Sequence, residues 1–274
     1  MISRITAPVV RHAFLIFLSV ASIYPIWFIL QTSLKSNQQY LLKPLAIPFH
    51  PILSNFSTTF SAFPVARWML NSIIVSVVSV LCATVIALLA SYAMVFSKMR
   101  GVNFLLTTNI AFMVIPPVTL LIPMFILMVN MHLINTLPSV IIFYVGLFVP
   151  FSVFFLTNFM RSVPYELIEA AKIDGLSPFA VLRRIVVPLS SAAIFTLMLV
   201  NVIYAWNELL IALVFLQQQE SRTLMSGLAL FQGRFSTNQP LVMAGAFVSV
   251  LPVLLIYIFG QRFFVKGMLA GMGK

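Results

Sequence analysis

Few side chains in this 274-residue sequence are of types that do chemistry in water: five Asp and Glu, three His and one Cys. Four of the acids fall in polar segments, and Glu208 alone falls inside an apolar run. An ionisable group there is costly and marks a functional position. Asn201, Tyr204 and Asn207 add hydrogen-bonding groups to the same stretch, and spacings of three and four set Asn201, Tyr204 and Glu208 on one helix face. Such a stripe suits a translocation path or its gate. It suits equally a network that joins one membrane helix to its neighbours. Other chemistries find no support. His12, His50 and His132 are isolated, with no HExxH pattern, so no metal site is expected. No G-x-x-x-x-G-K-[ST] loop exists for ATP, and the lone Cys82 excludes an internal disulfide. No nucleophile and base stand at a meaningful spacing, so no enzyme is expected.

The densest group of charges lies between Met160 and Val186 and holds Glu166, Glu169 and Asp174. Ser162 and Pro164 are helix-start signals, and the two glutamates favour the positive end of the helix dipole. Gly175 suits a left-handed helix end, and Ser177-Pro178 restarts a helix. Pro188 marks the start of the next apolar run. The segment is therefore predicted as two short helices joined by a tight turn. Glu166, Glu169 and Ala170 share one side of the first helix. Ala170 and Ala171 are small enough for another surface to approach the backbone closely.

The elements that must position these residues are apolar almost throughout. Hydrophobic residues make up 61% of the chain and charged residues 8%, where a soluble domain carries roughly 25% charge. That excess of apolar side chains needs a bilayer, so an all-α integral membrane protein is predicted. Six runs approach the ~20 residues needed to span, at about 13–30, 69–96, 104–129, 137–159, 187–216 and 241–261. An 18-residue first run without a clear cleavage site reads as retained rather than as a secretory signal. With the N-terminus inside, the outer segments hold only Lys35, Lys43, Arg67, Arg222 and Arg234 of the 16 Lys and Arg. Both termini are thus predicted to be cytoplasmic. The net charge of +11 serves this orientation, and nucleic acid is not an expected partner. Residues 31–68 and 217–240 are expected as outer loops. Pro25, Pro116, Pro117, Pro123, Pro150 and Pro252 fall within spans and are expected to bend them.

The loop spacing carries a resemblance. Glu169-Ala170-Ala171, then Gly175, Ile185 and Val187-Pro188, is similar to the cytoplasmic loop of ABC importer permeases, with Val187 where Leu is usual. Nearly the whole chain resembles the smaller permease of carbohydrate importers, such as the maltose and glycerol-phosphate systems. Ser33-Leu34-Lys35, Asn71-Ser72, Ile115-Pro116, Ile122-Pro123 and Ala205-Trp206-Asn207-Glu208 carry that likeness, with Gln261-Arg262, Lys266-Gly267 and Ala270-Gly271 in the tail.

The resemblance implies a type I ABC importer permease fold, one permease domain over residues 1–274, in a bacterial or archaeal cytoplasmic membrane. It implies a second homologous permease, two ATP-binding cassette subunits and an external solute-binding protein as partners. ATP and Mg would be bound by the ATPases, and no cofactor by this chain. Glu166, Glu169, Ala170, Ala171, Asp174, Gly175, Arg183, Arg184, Ile185 and Pro188 would couple to the ATPase. Phe231, Gln232, Gly233, Arg234 and Phe235 would approach the binding protein. The solute would be a sugar or sugar derivative, with glycerol-3-phosphate as an alternative. An ion-coupled secondary carrier is the other class left open, and Glu208 is its main support.

Overall fold

Proline and polar residues mark several of the helix ends in this chain, among them the start of the helix at Pro178 and the end of the one at Met113. A computed structural model describes the backbone of residues 3–97, 99–234 and 238–272, and side chains within 11–258 apart from 98 and 231–237. The helices are α1 (Ser3–Ser33), α2 (Asn37–Leu42), α3 (Ser54–Ala62), α4 (Val65–Phe96), α5 (Val102–Met113), α6 (Leu121–Asn130) and α7 (Leu137–Met160). There follow α8 (Tyr165–Ile173), α9 (Pro178–Val181), α10 (Val187–Leu189), α11 (Ser191–Asn207), α12 (Leu210–Phe215), α13 (Leu224–Arg234) and α14 (Gln239–Met272). No strand occurs among the described residues.

Among the described residues, four stretches are uninterrupted and apolar enough to cross a bilayer: Arg11–Ser33, Val65–Phe96, Leu137–Met160 and Gln239–Ile258. Two bent pairs raise the number to six if each pair is one crossing. The third and fifth apolar runs are thus not the continuous helices that hydropathy alone predicts. In the third, Pro116 and Pro117 remove backbone donors and exclude the preceding residue from the helix. α5 stops at Met113, a 3-10 turn over Pro117–Leu120 follows, and the pair is bent by 89°. In the fifth, the helix arriving from the loop ends at Leu189 and turns by 79° into α11, so the run starts at Ser191 rather than Val187. A second break follows Asn207. Glu208 therefore stands at a gap between helices, not inside one. The predicted outer loop over 217–240 also contains a helix, α13.

The chain forms two compact units, Met1–Ala66 with Gly227–Pro252, and Arg67–Ser226 with Val253–Lys274. In the second unit α7 is central, with α5, α11 and α12 against it. The inner face of α4 presents Ser72, Ser76, Ser79, Ala83, Ala87 and Ser91, all buried, which lets neighbouring backbones come close. Ile73, Val77, Leu81, Val85 and Leu89 on the other face are exposed, as lipid contact requires. Ser91 donates to the carbonyl of Val153 at 3.2 Å, and Thr157 donates to Ser91 Oγ at 3.0 Å. The proline inside α7 leaves that helix intact, and Asn109 of α5 donates to the Pro150 carbonyl at 2.8 Å.

In the first unit the end of α1 is tied down by the segment that follows. Ile52 N–H reaches the Leu34 carbonyl at 2.9 Å, and Asn55 Nδ2 bonds both the Ser33 and Lys35 carbonyls at 2.8 Å. Ser36 and Gln39 form a capping box that starts α2. Phe56 meets Phe247 edge to face at 6.2 Å.

Candidate functional site

The charged loop between α7 and α11 is built as an external helix seated on a buried base. Pro164 stands directly before α8, with Glu166 in the first turn and Lys172 in the last, both favourable to the dipole. Ser162 does not start the helix as expected: its hydroxyl turns back to the Phe159 carbonyl at 2.7 Å, because the reverse turn after α7 supplies a closer acceptor. Lys172 Nζ lies 5.8 Å from the centre of the Tyr165 ring.

The helix ends in a Schellman motif. Leu176 N–H reaches the Ala171 carbonyl and Gly175 N–H the Lys172 carbonyl, both at 3.0 Å. That geometry needs the left-handed backbone of Gly175, at φ 81°. Ser177 then caps α9 through the Ala180 N–H at 3.3 Å, with Pro178 at the first position. A π turn over Leu182–Val186 leads into α10, and Val187 N–H reaches back five residues to the Leu182 carbonyl.

One side of this loop faces inward. Ile168, Ala171, Val181, Leu182 and Val186 are buried in a single apolar cluster with Ala87 and Phe96 of α4, Val153, Leu156 and Met160 of α7, and Leu197 of α11. The other side is open: Glu166, Glu169, Ala170, Asp174, Gly175, Arg183 and Arg184 are exposed, Pro188 with them, and Ile185 is half-buried. Ala171, grouped with Ala170 by sequence, belongs to the base. Ile173 was missed by sequence reading, although it continues the exposed row Glu166, Glu169, Ala170 at the next turn and is 85% exposed. The loop is thus seated on α4, α7 and α11 through a close-packed apolar base.

The second polar group surrounds the gap after α11. Glu208 closes α11 with extended backbone, and its carboxylate turns to the start of α12. It accepts the Ile211 N–H at 3.0 and 3.1 Å and the Ala212 N–H at 3.3 Å. Tyr144 of α7, fully buried, donates its hydroxyl to the same carboxylate at 2.7 Å. A broken helix leaves backbone donors without partners, and this side chain satisfies them. Asn201 is buried and donates to Ser152 Oγ at 3.1 Å. Tyr204 is exposed and stands edge to face against Phe148 at 5.7 Å. Asn207 is exposed and bonds the Ile203 carbonyl of its own helix at 2.7 Å. The one-face row thus holds a buried member, an exposed member and a helix clasp. Tyr144 had no local signal, being 64 residues away from its partner.

A third cluster fixes residues 217–224. Trp68 Nε1 donates to the Gln219 carbonyl at 2.6 Å, and Asn71 Nδ2 to the carbonyls of Glu220 and Arg222 at 2.9 Å. Ser72 Oγ accepts the Leu224 N–H at 2.8 Å. From the other side Asn135 Oδ1 accepts the N–H groups of Gln217 and Gln218 at 2.7 and 3.0 Å. Asn135 has φ 65°, a left-handed conformation that asparagine tolerates better than most residues. Arg222 Nη2 donates to the Gln217 carbonyl at 2.7 Å, and burial lowers the pKa of its guanidinium against the opposing effect of Glu220. The partners lie about 150 residues apart, so no local spacing signals this clamp. The candidate binding-protein contacts Phe231, Gln232, Gly233 and Arg234 have helical backbone only, and Phe235 lies outside the described residues. Among the described residues no three His, Cys, Asp or Glu gather as metal ligands would.

Comparison with known proteins gives these sites their setting. Residues 83–269 match the family described as binding-protein-dependent transport system inner membrane component. The sulfoquinovosyl glycerol transport system permease protein of Agrobacterium fabrum is 34% identical, over 93% of this chain and 90% of its own length. The melibiose/raffinose/stachyose import permease protein of Bacillus subtilis is 30% identical, over 93% and 92%. A chain from the crystal structure of a bacterial ABC transporter that imports the acidic polysaccharide alginate has a TM-score of 0.77 at 21% identity, covering 96% of this chain and 98% of its own. That likeness establishes a shared all-helical permease fold. Matched by the family over two thirds of its length and by permeases along nearly all of it, the chain belongs to the binding-protein-dependent transport system inner membrane components, the permease subunits of ABC transporters.

Proposed function

We propose that the chain is the permease subunit of an importer that moves a sugar or sugar derivative into the cytoplasm, acting as one permease domain with both termini inside. The substrate class rests on the named cargo of similar permeases, sulfoquinovosyl glycerol and the melibiose/raffinose/stachyose group. Its partners are a second homologous permease, two ATPase subunits that bind ATP and Mg, and an external solute-binding protein. The chain itself carries no cofactor, and its membrane is the cytoplasmic membrane of a bacterium or archaeon.

The observation that carries this reading is α8, open on the side of Glu166, Glu169, Ala170 and Ile173 and seated through Ile168 and Ala171 on α4, α7 and α11. The exposed row is the surface for the ATPase, with Asp174, Gly175, Arg183 and Arg184 beside it. Closure of the ATPases around ATP would draw α8 with it and open the cavity outwards, and hydrolysis would return it. Asn201, Tyr204, Asn207 and Glu208 stand along the path or its gate, and Phe231–Phe235 meets the binding protein. An ion-coupled carrier would need Glu208 as a free titrating group. Its engagement by Tyr144 and two backbone N–H groups favours the importer reading.

Purification of the tagged chain from its native membrane in mild detergent tests the proposal. An ATPase and a second permease are expected to accompany it. Screening the neighbouring binding protein against sugars and glycerol-3-phosphate would then name the solute. A chain that is stable and transports alone would overturn the reading.

A further inference from the structure

The segment after α1 carries features that neither the coupling loop nor the Glu208 region explains. Lys35 follows α1 by two residues and is only 1% exposed. Its Nζ donates to the Pro44 carbonyl at 2.6 Å, and among the described residues no carboxylate offsets its charge. Burial accordingly lowers its pKa from the ordinary lysine value. A buried ammonium held by one carbonyl is costly and leaves donor capacity to spare.

Lys35 does not stand in solid protein. It lines a cavity of about 160 Å³ together with Gln39, Lys43, Leu42, Ile47 and Phe49. An apolar cavity of roughly 150 Å³ holds a molecule of benzene size. This one sets two lysines and a glutamine among apolar residues, with no acid in its lining. That lining suits an anion joined to an apolar body.

The surroundings name the source. Arg11–Ser33 is an apolar helix of 23 residues, long enough to cross a hydrocarbon core of about 30 Å. Lys35 stands two residues past its end, where a span of that length would bring it to headgroup level. Around the cavity, Leu42 is 74% exposed, Ile47 64% and Phe49 86%, and the neighbouring Leu41, Leu45 and Leu53 are exposed to a similar degree. Apolar side chains this open beside lysines, at the end of a membrane span, match an interfacial lipid-binding element.

We infer that the Lys35–Lys43 cavity is a binding site for the phosphate headgroup of an anionic phospholipid, whose glycerol and upper acyl carbons lie against Leu42, Ile47 and Phe49. The phosphate oxygens accept from the exposed Lys43 ammonium, and the buried charge of Lys35 adds attraction from behind. The inference needs only a membrane-embedded chain and does not depend on the solute or the ATPase contact.

Native mass spectrometry of the purified full-length chain tests it, with phosphatidylglycerol and phosphatidylcholine offered at equal concentration. One phosphatidylglycerol is expected to be retained in preference to phosphatidylcholine. Each lysine contributes about fivefold, so Lys43→Gln is expected to lower the preference by that factor. Ile47→Ser is expected to weaken retention of both lipids. Because Lys35 is buried and Lys35→Gln is at risk of misfolding, the exposed Lys43 and Ile47 variants decide the matter, with thermal unfolding in detergent as the control for folding. Equal retention of the two lipids, or unchanged retention in Lys43→Gln, would overturn the inference. Displacement of the lipid by millimolar inorganic phosphate would assign the cavity to free phosphate instead. Loss of the lipid whenever a second permease is bound would make the surface a protein contact.

Discussion

At the residue scale, Gly175 and Glu208 stand for two ways in which one side chain decides a local geometry. Gly175 is needed for its backbone alone: a Cβ there would meet nothing within 4 Å, but the φ of 81° would remain unfavourable. Gly175→Val is therefore expected to cost about 1–2 kcal/mol of local stability. It should loosen the Schellman end and lower ATP-driven uptake, measured in reconstituted vesicles. Gly175→Asn is expected to retain most of it, because asparagine visits the left-handed region more readily. Equal losses for both variants would point to a need for space rather than for backbone freedom. Glu208 acts through its oxygens. Glu208→Ala would leave the buried Tyr144 hydroxyl and the Ile211 and Ala212 N–H groups without their partner, at about 1–3 kcal/mol for each buried group. Thermal unfolding of Tyr144→Phe, Glu208→Ala and the double variant should show clear coupling. Additive losses would separate Tyr144 from the clasp, and lost transport with unchanged unfolding would restore Glu208 to the path alone.

At the scale of elements, α8 separates docking from transmission. Ile168→Ala opens a cavity in its base and is expected to cost about 2–5 kcal/mol, lowering the unfolding temperature. Ile173→Ser removes an exposed apolar side chain and is expected to leave unfolding unchanged while weakening recovery of the ATPase. Reversed results would place the contact on the opposite face. Much of this element was legible from local rules, since Glu166, Lys172, Gly175 and Ser177-Pro178 each act within one turn. The break before α12 was not. No proline or glycine marks it, and its stabilising partner Tyr144 comes from another helix. The bend at Ser190 was hidden because the run stays apolar enough across Pro188 and Ser190-Ser191 to read as one span.

For the whole molecule, the low charge content and the membrane-length helices were plain in composition, because a bilayer imposes them on the chain at large. The inner and outer assignments rest on Lys and Arg counts, whereas the transport class is checked by the energy source. Uptake in cells is expected to persist when a protonophore collapses the proton gradient while ATP is held high, and to stop on ATP depletion. The opposite pattern would support an ion-coupled carrier. Long-range hydrogen bonds were the least legible level. Trp68, Asn71 and Ser72 meet residues about 150 positions later, and nothing local announces the pairing.

The wide turn at Leu182–Val186 has an implication for sequence length. It uses one residue more than an α-helical turn would need, directly before the helix that bends into α11. Removing a single residue there would let the turn close as ordinary helix with Arg183 and Arg184 close to their present facing, because the wide turn already absorbs the extra residue. Removing a second would rotate them by about 100° against everything that follows. The linker between Gly175 and Pro188 should therefore tolerate the loss of one residue and fail at two.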